Sequence, residues 1–464
     1  MSTVSLLFIA VLGIALLLFL VIFVRLQAFI ALLIASLFIA VIGGIPPAEI
    51  ADTIREGMGS TLGYIAIVIG LGAMFGELLQ VSGGAEQIAS TLVRKFGEVN
   101  AQWALGLAGL AIAIPVFFDV GLIICIPLVY SLGRRTGRSL LYYAIPLVAG
   151  LAVGHSFIPP TPGPVAVAAL LGADLGWVIL LGILAGIPAL AVGGVLFGKY
   201  IGKRIHLDVP AQMEASLAES LAIVSDDPKL GKDAFVQPAK ELPSFGMVVT
   251  IILIPLVMIL FNTALGVVLP EGNPVRNWMS FIGHPFTALT IATLLSFYFL
   301  GTLRGYSLSD IQRITTKSFE PVGLIILVTG AGGVFGRVLV TTGVGKALAE
   351  TLSASNLPVI LLAFLIAVAV RVSQGSATVS MVTAAGLIAP VIQTGSYSAP
   401  LVGAITIAIA AGATVLSHVN DSGFWLVGRY LGMSEKETLR SWTVMETIVG
   451  LVGFGVVFVL SWFL

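Results

Sequence analysis

"GHSFIPPTPGP", Gly154 to Pro164, is the stretch on which the reading of this chain turns. It follows an apolar run long enough to be a membrane helix. Yet it holds a histidine, a serine, a threonine and four prolines, so a helix cannot continue through it. In a bilayer, the backbone groups freed by such a break must be satisfied within the protein or by a water-filled cavity. The break therefore predicts a polar site at membrane depth.

The rest of the chain supplies the membrane setting. It has 464 residues, 58% of them hydrophobic and only 10% charged, and apolar runs of about 18 or more residues recur from end to end. The opening run, Val4 to Phe23, lacks a basic leader and a small-residue cleavage site and reads as a retained first span. A single cysteine, Cys125, leaves neither an intramolecular disulfide nor a thiolate metal cluster to propose. A formal net charge of zero with no basic stripe argues against nucleic acid as a partner. The chain has no Walker A loop, no H-E-x-x-H and no G-x-S-x-G, which argues against an ATP-driven pump and an intramembrane hydrolase. No metal or organic cofactor is expected.

One polar segment, His206 to Pro243, divides the apolar pattern near its middle, and a repeat is found on either side of it. "GLGAMFGELLQVSGGAEQIASTL" from Gly70 aligns without a gap on "GAGGVFGRVLVTTGVGKALAETL" from Gly330, at an offset of 260. The same offset pairs Gly163 with Gly423, Val167 with Val427 and Gly172 with Gly432. The expected organisation is a first membrane repeat over 1–205, a cytoplasmic polar linker over 206–243 and a second membrane repeat over 244–464.

Charge placement orients the halves. "RK" at Arg94 and Lys95 and "GRRTGR" ending at Arg138 flank the apolar stretch Ala101 to Leu132, and both clusters belong inside by the positive-inside rule. That stretch enters and leaves on one side, with "PVFFDVG" (Pro115 to Gly121) at its middle, which describes a re-entrant hairpin. Its counterpart runs from Leu357 to Ile392 with "RVSQGSATVS" (Arg371 to Ser380) at the turn and no basic flank. The fold class expected is an all-α polytopic membrane protein of two inverted repeats, each of five spans plus one hairpin, with broken helices at the site. Amphipathic stretches "PAEIADTIREGM" and "LSDIQRITTKSF" are placed along the interface between second and third spans.

Inverted repeats with broken helices are the architecture of secondary transporters, whose substrate binds where unwound backbone and half-helix ends meet. "GHSFIPPTPGP" interrupts the fourth span of one half and "SHVNDSG" (Ser417 to Gly423) that of the other, so with the two hairpin turns there are four breaks to converge on one cavity. The second hairpin turn offers Ser373, Gln374, Gly375, Ser376 and Thr378 at the start of a half-helix, a combination suited to a carboxylate. Ser156 and Thr161 from the first break, and Asn420 and Ser422 from the second, complete the candidate substrate site. Asp119 places a carboxylate in the first turn, where it can carry a proton, bond substrate hydroxyls or cap the following helix. His155 and His418 fall in the breaks as proton relays or hydrogen-bonded packing residues, and Asp421 joins Asp119 as a proton-coupling candidate. Desolvation is expected to favour Asp119 as the carrier. Glu77 and Arg337 share one repeat position and are expected to pair across the repeat interface.

The motifs "PVFFDVG", "GHSFIPPTPGPVAVA", "RVSQGSATVS" and "SHVNDSGFWLVGRYLGMSEKETLRSW" resemble the signatures of the gluconate permease family, proton-coupled symporters of bacterial inner membranes within the ion transporter superfamily. The resemblance spans nearly the whole chain. It implies a scaffold domain and a mobile domain, a homodimer in membrane lipid, elevator-type alternating access with protons as coupling ion, and uptake of gluconate or a related small hydroxylated carboxylate. D-serine, glycerate and other sugar acids are the alternative substrates. An anion channel is the rival from another class, and a membrane enzyme would have only Asp119 and Asp421 as an acid pair.

Overall fold

A computed structural model describes residues 2–210, 242–344, 347 and 357–464. Most of the polar linker, 211–241, and the "SASN" flank of the second hairpin lie outside the described residues. The described chain is all-helical, and nine helices are long and apolar enough to cross a membrane, from Val4–Val21 to Glu435–Leu460.

The spans before and after the linker follow a similar order among the described residues. In the first half, helices Thr3–Ile22, Ala28–Ile42 and Pro47–Val81 lead through a connecting helix, Gly84–Phe96, to the helix pair Ala101–Ala113 and Phe118–Thr136, the first hairpin. A broken span, Leu140–Phe157 and Pro162–Leu171, and a last span, Leu175–Arg204, follow. In the second half the order is Phe245–Val268, Pro285–Arg304, Phe319–Thr341, the second hairpin Val359–Gln374 and Ala377–Thr394, the broken span Ala399–Gly412 and Ser422–Leu431, and Glu435–Leu460.

Local signals at the 260 offset agree between the halves. Gly83 and Gly343 both take left-handed backbone after their third spans (φ 78° and 81°), and Gly172 and Gly432 both close the broken span (φ 70° and 66°). A side chain is strained in that conformation, which is why glycine stands at all four positions. Asp174 and Ser434 then cap the final span of each half through Trp177 N–H and Glu437 N–H.

Glycine seams bring the breaks together. A Cβ on Gly150 would lie 2.0 Å from the Gly106 carbonyl oxygen, and one on Gly154 2.6 Å from that of Leu110, so the first hairpin arm is locked to the first broken span backbone to backbone. Gly76 approaches the hairpin turn so closely that a Cβ would lie 1.8 Å from the Pro115 carbonyl oxygen. The two third spans cross at Gly57 and Gly333, where each glycine's Cβ would meet the other's carbonyl oxygen at 2.8–3.0 Å.

That crossing corrects one expectation. It sets residues 57–61 opposite 330–337, so Arg337 pairs with Glu56 (Nη2 to Oε2, 2.6 Å) and not with Glu77. Glu77 opens instead on a separate cavity of about 450 Å³ that it shares with Tyr306, Asp310, Arg313 and Lys317. A second correction concerns "PAEIADTIREGM", which is not a separate surface helix. It forms the first turns of the 35-residue helix Pro47–Val81, because no proline separates it from the apolar run. Its counterpart "LSDIQRITTKSF" is a distinct helix, Leu308–Lys317, opened by a capping box at Ser307 and Asp310.

Candidate functional site

Each of the four breaks has a local cause. In "GHSFIPPTPGP" the helix ends at Phe157 and restarts with Pro162 at its first position, where a missing N–H costs nothing. Ile158–Thr161 lie between, with a cis Pro159–Pro160 bond, and the Thr161 hydroxyl donates to the Ile158 carbonyl at 2.7 Å. The first hairpin turns at Ile114–Phe117. The second turns within two residues: Gly375 takes φ 81°, and Ser376 caps Ala377–Thr394 by accepting from Val379 N–H. In the second broken span Asp421 caps Ser422–Leu431 by accepting from Gly423 N–H at 3.1 Å.

These breaks enclose one cavity of about 330 Å³. The first hairpin contributes Phe117, Phe118 and Asp119, the first broken span His155 and Ser156, the second hairpin Arg371, Ser376 and Thr378, and the second broken span Asp421 and Ser422. Trp442 and Glu446 from the last span close it. Seven sequence-nominated residues thus meet: Asp119, His155, Ser156, Ser376, Thr378, Asp421 and Ser422.

The others stand outside that lining. Ser373 is on the last turn of the first arm rather than at the start of the second, and its hydroxyl donates back to the Ala369 carbonyl at 2.8 Å. Gln374 ends the same arm with both amide atoms buried and unpartnered. Gly375 lies against the Asn420 backbone, where a Cβ would come 2.2 Å from the carbonyl oxygen. Asn420 and His418 both turn to the Val372 carbonyl (Nδ2 donating at 2.9 Å, Nε2 at 3.1 Å), tying the second hairpin to the second break. Thr161 faces a smaller crevice beside Gly72 and Pro115. Asp119 is exposed at the first turn of its helix.

Two charged groups escaped the sequence reading. Arg371, only 2% exposed, donates from Nη2 to Asp421 Oδ2 at 2.5 Å, leaving its Nε and Nη1 buried and unpartnered. Asp421 Oδ2 also accepts from the Ser417 hydroxyl (2.5 Å), which in turn accepts from Trp442 Nε1 (2.7 Å). Glu446 is 3% exposed with Oε1 unpartnered, and it lines the same cavity as Arg371 and Asp421. Arg371 was visible in "RVSQGSATVS" and Glu446 in "SWTVMETIVG", where it is the only charged residue after Arg440. The rule that an ionisable residue inside an apolar span is functional by default would have found both.

A polar cavity walled by interrupted helices inside an all-helical, apolar chain defines a membrane transport protein rather than a soluble fold. The model of the GntP family permeases matches residues 5–463, and the chain belongs to that family. It is 42% identical over 453 residues to the low-affinity gluconate transporter of Escherichia coli K12, covering 98% of this chain and 97% of that one. It is 41% identical over 457 residues to the inner membrane permease YgbN of the same strain, covering 98% of each. Among solved structures it resembles the YdaH transporter of Alcanivorax borkumensis in fold, with a TM-score of 0.57 and 15% identity over 90% of this chain and 89% of that one. The chain is a multi-pass inner-membrane permease.

Proposed function

We propose that this permease takes up gluconate, or a closely related small hydroxylated carboxylate, together with protons, by elevator-type alternating access. The observation that carries the reading is the single cavity walled by both hairpin turns and both broken spans. Its volume is at the small end of ligand pockets and suits a compact polar ligand. Ser376 at a helix start, Thr378, Ser156 and Ser422 offer hydroxyls to a carboxylate and a hydroxylated chain. The names of the relatives favour gluconate, with D-serine, glycerate or another sugar acid as alternatives.

Charge balance supports proton coupling. The cavity holds three carboxylates, Asp119, Asp421 and Glu446, against one guanidinium, Arg371. Two like charges about 6 Å apart repel by about 3 kcal/mol at an effective dielectric of about 20, so an anionic substrate is opposed until protons accompany it. Asp119 and His155 share one wall and form the entry for such protons, with Asp421 held by Arg371. His418 serves the hairpin contact instead.

The matching order of elements and the left-handed glycines at equal offset support two repeats, 1–205 and 244–464, joined by the linker 206–243. In this reading they are inverted, both hairpins are re-entrant, and the protein works as a homodimer in the lipid bilayer with hairpins and broken spans as the moving unit. The Glu98–Arg135 pair (2.5 Å) joins the outer ends of the first hairpin, as one-sided entry requires.

Vesicles containing the purified protein test this. Saturable gluconate accumulation under an acid-outside gradient is expected. Non-saturating, gradient-independent flux would favour an anion channel, and accumulation of D-serine or glycerate but not gluconate would reassign the substrate.

A further inference from the structure

We infer that Glu446 is the carboxylate that carries the coupled proton, with the Arg371–Asp421 pair as its fixed electrostatic partner; this deepens the symport reading above and rests on it. The sequence favours Asp119 for that task, but Asp119 is exposed where it lines the cavity, whereas Glu446 is buried. Glu446 is the buried carboxylate of the cavity that lacks a bond at Oε1.

The groups around it make its charge conditional. From the elements packed on its helix, the ionisable side chains that face it are Arg371 of the second hairpin, Asp421 of the second break and His155 of the first broken span, with Asp119 across the cavity. Arg371 is already engaged by Asp421, which is held in turn by the Ser417 hydroxyl and Gly423 N–H. Asp421 is thus neutralised by a cation and by donors, whereas Glu446 forms no ion pair with Arg371 and keeps a buried oxygen bare. Burial without a partner opposes ionisation of any carboxylate, and a second anion beside it adds repulsion.

The cycle follows from this. With the cavity open to the proton-rich side, Glu446 carboxylate takes one proton from water and becomes the acid, which leaves the wall around Arg371 and Asp421 neutral and admits the substrate anion. After the moving unit exposes the cavity to the other side, the substrate leaves and the acid gives its proton to water there. One proton crosses with one anion through this group, and no other reactant is needed.

The test uses the full chain in vesicles with gluconate as probe. Three readouts are taken: gluconate exchange without a gradient, accumulation under an imposed acid-outside gradient, and gluconate-dependent proton entry reported by a trapped pH dye. For Glu446→Gln, exchange is expected to persist within several-fold of wild type, accumulation to fall to the no-gradient level and the dye signal to vanish. Glu56→Gln, outside the cavity, is expected to keep the dye signal. Wild-type-like accumulation and dye signal in Glu446→Gln would overturn the inference, as would loss of coupling in Asp119→Asn alone. A wild-type protein with no gluconate-dependent proton entry would instead overturn the symport reading itself. If Glu446→Gln does not fold, Glu446→Asp decides. A displaced pH profile of the initial rate with coupling retained supports the assignment, and an unchanged profile overturns it.

Discussion

The Arg371–Asp421 pair is the interaction whose removal tests the site most directly. Both side chains are buried, at 2% and 8% exposure, and meet at 2.5 Å across 50 residues of sequence, joining the second hairpin to the second break. Replacing Arg371 by Gln leaves Asp421 with only the Ser417 hydroxyl and Gly423 N–H, in a cavity that also contains Glu446 and Asp119. Replacing Asp421 by Asn leaves a guanidinium whose Nε and Nη1 are already unpartnered. Breaking a buried pair from one side costs about 3–5 kcal/mol, because the remaining charge stays buried. The interaction at an effective dielectric of about 20 and a charge separation of about 4 Å is about 4 kcal/mol, which agrees. Each single variant should therefore be destabilised by about 3–5 kcal/mol, and the double variant by at least about 2 kcal/mol less than the sum. Unfolding in detergent can be followed by tryptophan fluorescence, since Trp442 donates to Ser417 in this network and its ring lies tilted against Phe118, with centroids 5.3 Å apart. Single-variant losses below about 1 kcal/mol that simply add would refute the argument, because they would mean that neither charge depends on the other.

Three further outcomes are expected. Ser376→Ala should weaken gluconate binding by about 1–3 kcal/mol, the usual loss for a hydrogen bond to a charged group, as measured by calorimetry; unchanged affinity would move the carboxylate away from this helix start. Cysteines at Arg138 and Ser396, exposed at the outer ends of the two hairpins, should label with an impermeant maleimide from opposite sides of the membrane, against little background from buried Cys125; same-side labelling would refute inversion. Glu56→Gln should change thermal stability by less than about 1 kcal/mol, since its pair with Arg337 is about half exposed, and a larger loss would show that the pair is desolvated in the membrane.

The sequence by itself determined the elements and where they fail. Apolar length marked the spans, prolines and glycines marked the breaks at Ile158–Thr161 and Gly375, and the constant offset paired Gly83 with Gly343 and Gly172 with Gly432. These are local properties, fixed by a residue and its chain neighbours: a proline without an N–H, a glycine able to take positive φ. Only the tertiary structure decided which polar groups in the breaks share a cavity. Ser373 and Ser376 stand three residues apart in one motif, yet the first closes a helix onto its own backbone and the second opens the next helix into the cavity. Glu77 and Arg337 occupy equivalent positions but are separated because the third spans cross at Gly57 and Gly333, a contact that depends on how two distant helices pack. For the same reason Glu446 could be read as an unusual charge in an apolar run, while its place beside Arg371 and Asp421 exists only once three remote segments have come together.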